Sequence, residues 1–94
     1  MVVAVALKRI GGPVTELSGP ADFNTLTTTG VWHQSKYENA QNSTNGPVNH
    51  PGLLEVLAGA GIVYQRFTAY RGGGVYSRDY YAYADEWSAW RELT

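Results

Sequence analysis

The chain has 94 residues, 44% of them hydrophobic, which suits one small domain whose core is just large enough to hold it. Seven Lys and Arg nearly cancel eight Asp and Glu, for a formal net charge of -1, and no segment clusters the basic residues, so a phosphate-backbone surface and nucleic acid are disfavoured. Without cysteine there is neither a disulfide framework nor a thiolate zinc site, and stability must come from packing or from partner chains.

Residues 2–7, "VVAVAL", form an apolar run followed by Lys8 and Arg9. The run is too short to cross a bilayer and its charges come after it, so neither a signal nor membrane insertion is read there. The favoured reading is a strand or tail buried against the domain or a neighbour, with a cloning scar or a helix as the others. Gly11-Gly12-Pro13 and Ser18-Gly19-Pro20 then break the chain, which makes residues 1–20 a lead-in or attachment segment and residues 21–94 the compact β domain. Pro20 opens a short helical turn in which Phe23 and Leu26 share a face, ending before Gly30. Residues 31–36, "VWHQSK", alternate as a strand with Val31, His33 and Ser35 on one side. The polar stretch "ENAQNSTNGPVNHPG", residues 38–52, reads as an exposed loop.

Beyond it the period becomes two. Strands are expected at 53–58, 62–70, 75–83 and 87–93, with a tight turn at 59–61, a flexible one at 71–74 and a reversal at Asp85 and Glu86. The fold class is mostly β, a small α+β domain: an antiparallel β-meander with one short N-terminal helical turn. A four-residue loop from Arg71 to Gly74 would set Tyr70 against Val75, Arg66 against Asp79 and Tyr64 against Tyr81. One face then carries Tyr64, Arg66, Asp79 and Tyr81, and the other Gln65, Phe67, Tyr76, Arg78 and Tyr80.

Groups able to do chemistry are few. His33 and His50 lack a third ligand at metal-binding spacing, so no metal site is read. Asp85 and Glu86, with Asp79 or Glu55, are poorly placed for a glycosidase pair and read as a solvated turn. Ser77, Ser88 and His50 lie outside any nucleophile-elbow motif, and Arg71-Gly72-Gly73-Gly74 lacks the lysine of a phosphate loop. No catalytic residues and no cofactor are assigned. Trp32, Phe67, Trp87 and Trp90 are expected in the core or an interface, since a chain this short must build its core from its largest side chains. Tyr37, Tyr81 and Tyr83, near loops or a strand end, are candidates for ligand contact, and His50 joins them from the polar loop.

In order along the chain, "ADFNTLTTTGVW", "GLLEVL", "VYQRFTAY", "VYSRDYY" and "WSAWREL" resemble the pyocin-knob domain of phage and R-type pyocin tail fibres. The resemblance spans residues 21–93. It implies a structural signature at Asp22, Asn24, Leu26, Gln65, Phe67, Tyr76, Arg78, Trp87 and Trp90, framework positions rather than a catalytic set. It also implies a non-enzymatic virion module, a homotrimer beside other virion proteins, that attaches to a host-surface glycan such as lipopolysaccharide. The alternative is a structural spacer, trimerisation or head or tail decoration protein without receptor contact. The long loop at 38–52 departs from the family's pattern, so its contacts are not carried over. Residues 1–17 become the natural attachment to the particle if the domain stands alone.

Overall fold

The computed structural model describes residues 14–93, and the run at residues 2–7 lies outside them. Among the described residues seven strands form one sheet: β1 (Thr15–Glu16), β2 (Gly30–Gln34), β3 (Gly52–Gly59), β4 (Ile62–Ala69), β5 (Val75–Tyr81), β6 (Glu86–Trp87) and β7 (Arg91–Leu93). Strands β1 to β5 lie side by side in chain order, and β6 and β7 both pair with β5. All pairs are antiparallel except β1 with β2, so the expected mostly β, small α+β class is observed. Of the expected lead-in, residues 14–20 are described, and Thr15–Glu16 within them joins the sheet as an edge strand.

Strand alternation selects the core face. Leu54 and Val56 of β3 are buried, and the register sets them opposite Phe67 and Gln65 of β4, also buried. Residues one position off, Leu57 and Tyr64, are exposed. Burying Leu54, Val56 and Phe67 contributes about 1.5–3 kcal/mol each. Phe23 packs over this face with Leu26, Val48 and Trp90 beside it. It is held there by a 3-10 turn, Phe23–Thr25, in which the Asp22 carboxylate accepts the Asn24 N–H at 2.9 Å and the Thr25 hydroxyl donates to the Asp22 carbonyl at 2.8 Å.

The stretch at 38–52 is not the exposed loop its composition predicts. Helix α1 (Tyr37–Gln41) buries Ala40, and Pro51 and Gly52 are buried as well. Ser43 accepts the Ala21 N–H at 2.9 Å and lies 2.8 Å from Oε1 of Gln34, whose Nε2 donates to the Gly19 carbonyl at 3.0 Å. Thr44 exchanges backbone bonds with Ala21 and Phe23. Short polar side chains that satisfy backbone groups hold this segment without any apolar period to advertise it. Glycine is required at position 52, where a β-carbon would fall 2.5 Å from the Phe67 ring.

The hairpin between β4 and β5 has its expected loop length at a different place. Ala69 N–H donates to the Gly74 carbonyl at 2.8 Å, so the loop is residues 70–73 rather than 71–74. Thr68 faces Val75, Arg66 faces Ser77, Tyr64 faces Asp79 and Ile62 faces Tyr81. The pairings of Arg66 with Asp79 and Tyr64 with Tyr81 are therefore corrected. The cause is Tyr70, whose N–H donates to the Pro51 carbonyl at 2.8 Å and so leaves the β4 ladder. A slip of two residues keeps every side chain on its expected face. The β3–β4 turn uses Ala60 and Gly61 alone, both at positive φ (53° and 79°), as a two-residue primed turn demands.

Two C-terminal boundaries also differ. Strand β5 stops at Tyr81, because Ala84 and Asp85 donate back to the carbonyls of Tyr81 and Ala82. The closing strand expected at 87–93 is split in two. Tyr80 pairs with Trp87 and Ser77 with Arg91, which leaves one extra residue opposite Arg78, a β-bulge.

Candidate functional site

Trp87 and Trp90 stand three apart, and an unbroken strand would send them to opposite faces. With the bulge between them both reach Arg78, whose guanidinium carbon lies 3.7 Å from one indole centre and 4.6 Å from the other. Arg78 is only 5% exposed. Its Nε donates to Gln65 Oε1 at 2.8 Å, and Gln65 Nε2 in turn donates to the carbonyls of Phe23 and Leu26 at 2.8 and 2.9 Å. Trp90 Nε1 donates to the Asn45 carbonyl at 2.9 Å, and Asn45 Nδ2 to Asp22 Oδ1 at 2.7 Å. Phe67 meets Phe23 edge-on and faces Tyr76, whose hydroxyl donates to the Gly73 carbonyl. Asp22, Asn24, Gln65, Phe67, Tyr76, Arg78, Trp87 and Trp90 thus form one connected set.

Burial pulls Arg78 down to about 10, partly opposed by the Asp22 carboxylate, so the guanidinium is still charged at neutral pH. Two indole faces take the place of the water it has lost. Asp22 itself is held below the usual carboxylate range, first by the Asn45 side-chain bond and then by the Asn24 N–H. Among the described residues, Arg78 Nη2 and Asn24 Oδ1 are buried atoms without a hydrogen-bond partner.

Two surfaces flank this set. On the core-facing side, Asn24, Thr27, Val63, Tyr80, Asp85 and Trp87 line a cleft of about 580 Å³. The Tyr80 and Trp87 rings lie 5.0 Å apart, and the Tyr80 hydroxyl donates to Asp85 Oδ1 at 2.6 Å, a bond that raises the Tyr80 pKa. On the opposite side the sheet exposes Leu57, Tyr64, Tyr81 and Leu93. Glu55, Arg66, Asp79 and Arg91 share that side around a shallow groove of about 320 Å³. At the β1 edge, the Glu16 carboxylate accepts from the backbone and hydroxyl of Ser35, which lower its pKa, and lies 3.4 Å from His33 Nδ1. Among the described residues no three His, Asp or Glu side chains converge as metal ligands.

No family model matches the chain, and no curated protein does. Solved structures do. The chain superposes on an N-truncated R2-type pyocin tail fibre with a TM-score of 0.77 and 31% identity, covering 88% of this chain and 35% of that one. It matches the C-terminal part of the P. aeruginosa R2 pyocin fibre at 0.76 and 33% identity, covering 90% of this chain and 24% of that chain. The C-terminal part of the P. aeruginosa R1 pyocin fibre matches at 0.73 and 34% identity, with the same coverage. The chain resembles a domain of the R-type pyocin tail fibres. It spans between 24% and 35% of the fibre chains it matches.

In this tail-fibre-like domain the four contact candidates do not share one place. Tyr81 and Tyr83 pair at 5.5 Å, 48% and 79% exposed, and the Tyr83 ring lies across Gly61. Tyr37 is on α1, its hydroxyl accepting from Gln41 Nε2 at 2.9 Å, and His50 sits with Nδ1 2.9 Å from the Pro51 carbonyl. Tyr80, Thr27, Val63 and Asp85, which line the cleft, were not singled out as contacts by the sequence. The row Val63, Tyr80, Trp87 becomes visible only once the pairing of β4, β5 and β6 is known.

Proposed function

We propose that the chain is a non-enzymatic fibre module of a phage or phage-like particle. In this reading it is a homotrimer beside other virion proteins and attaches the particle to a host-surface glycan such as lipopolysaccharide. The observation that carries the reading is the superposition on R-type pyocin tail fibres over about 90% of the chain. A sheet covered on one face and bearing exposed Leu57, Tyr64, Tyr81 and Leu93 on the other supports assembly with like chains. The test is binding of the assembled chain to host cells and to their purified polysaccharide. Saturable binding that competes with particle adsorption is expected, and a trimer that binds neither overturns the receptor role.

A structural spacer or decoration role is favoured by one feature: the polar bonds around Arg78 are directed inward, to Gln65 and through it to the turn carbonyls. Particles lacking the domain that assemble poorly yet adsorb normally would select that reading.

A further inference from the structure

We propose that the cleft beside the 3-10 turn binds a neutral saccharide ring; the proposal rests on the attachment reading and gives it a site. The floor is a row of three side chains, Val63, Tyr80 and Trp87, aligned across β4, β5 and β6 by the strand register. At normal strand spacing that row is roughly 10 Å long, an apolar strip about as wide as one sugar ring, with the Tyr80 and Trp87 rings tilted 43° to each other. Arg78, stacked on Trp87, and the Tyr80 ring, 5.0 Å from it, fix the indole in place.

The rim supplies hydrogen-bonding atoms suited to a polyol. Tyr80 engages Oδ1 of Asp85, and among the described residues no bond is made to Oδ2, which is left to accept a ligand hydroxyl. Asn24 also lines the cleft and adds an amide side chain to its wall. Thr27 is exposed at the mouth. Asp85 is held in the left-handed region at φ 52°, a conformation an Asp tolerates better than most side chains and one kept here with its carboxylate against Tyr80.

Charge decides the ligand class. Asp85 is the one charged side chain in the lining, and no Lys or Arg is among it, so phosphate and sulfate groups are mismatched while sugar hydroxyls are matched. The cleft is also on the core-facing side of the sheet, so covering the opposite face in an assembly leaves it open. Neither Tyr81 nor Tyr83 takes part.

The test is an NMR titration of the full chain with the methyl pyranosides of glucose, galactose, mannose, rhamnose and N-acetylglucosamine, with glucose 1-phosphate and inorganic phosphate as charged controls. Expected are shifts of the Trp87 indole N–H and of the Thr27 and Asp85 amides, with a dissociation constant of order 1 mM for at least one neutral ring. Asp85→Ala should weaken it about tenfold. Thr27→Trp, at an exposed position, should block it and keep the melting temperature of the parent, whereas Asp85→Ala, at positive φ and without the Tyr80 bond, should lower that temperature slightly while the chain stays folded. The proposal is overturned if no pyranoside shifts these residues up to about 50 mM, if the charged probes bind as well as the neutral ones, or if Asp85→Ala and Thr27→Trp bind like the parent. It is also overturned if Thr27→Trp disperses a self-assembled form, because a neighbouring copy would then occupy the cleft. Host-cell binding retained by Asp85→Ala would sink the cleft while leaving the attachment role. Particles that adsorb normally without the domain, although its cleft binds sugar, would do the reverse.

Discussion

Among the described residues no carboxylate lies within ion-pair distance of Arg78, yet it is almost wholly buried. Its charge is kept by a planar match: a guanidinium lying against two indoles, with its Nε committed to Gln65. Gln65 is the more exacting position, because its amide bonds Arg78 with one end and two turn carbonyls with the other. Gln65→Leu keeps the volume and strands all three groups, so a loss of about 2–5 kcal/mol is expected from urea denaturation. That is a large part of the roughly 5–15 kcal/mol a small domain has. Tyr83→Ala, at a residue 79% exposed, should change stability by no more than about 0.5 kcal/mol. Equal shifts in the two variants would contradict the role given to Gln65.

Among the elements, the bulge between β6 and β7 has the widest effect, since one inserted residue rotates Trp90 onto the face that Trp87 already occupies. Deleting Ala89 restores strict alternation and turns Trp90 away from Phe23 and Arg78. The expected cost is below the roughly 3–5 kcal/mol of truncating a fully buried Trp, because Trp90 is half-buried, and is read as a fall in melting temperature; an unchanged melt would remove the bulge from the account. Neither this bulge nor helix α1 was legible in the sequence. A bulge breaks the period-two signal from which strands are read, and α1 stands in a polar stretch anchored by Ser43 and Thr44 rather than by an apolar stripe. Strands β3, β4 and β5 were legible because each is half-buried, so apolar and polar residues alternate along it. Their faces were right even where the β4–β5 register was not, since a slip of two preserves parity. The importance of Gln65 and Arg78 was visible only through the resemblance of "VYQRF" and "VYSRD" to fibre domains. The cleft needed the fold itself, because Asn24, Val63 and Asp85 are far apart along the chain.

At the scale of the molecule, one layer covers one side of the sheet and the other side keeps large apolar groups in contact with water. Leu57 and Tyr64 pair across β3 and β4 on that side and are each about half exposed. A homotrimer that buries this face should be broken by Leu57→Lys with Tyr64→Lys. Sedimentation should then show the native mass falling to that of a single chain while circular dichroism stays unchanged. A parent chain that is already a strict monomer would refute the assembly. The order of strands has a mechanical consequence. The first and last described strands stand at opposite margins of the sheet, so tension applied between residues 14 and 93 crosses every interstrand seam in turn. The joint of least strength along that path is β1, two residues long, which would peel from its neighbour as a sacrificial clasp while the inner ladders, and the indole-clamped arginine behind them, stay closed.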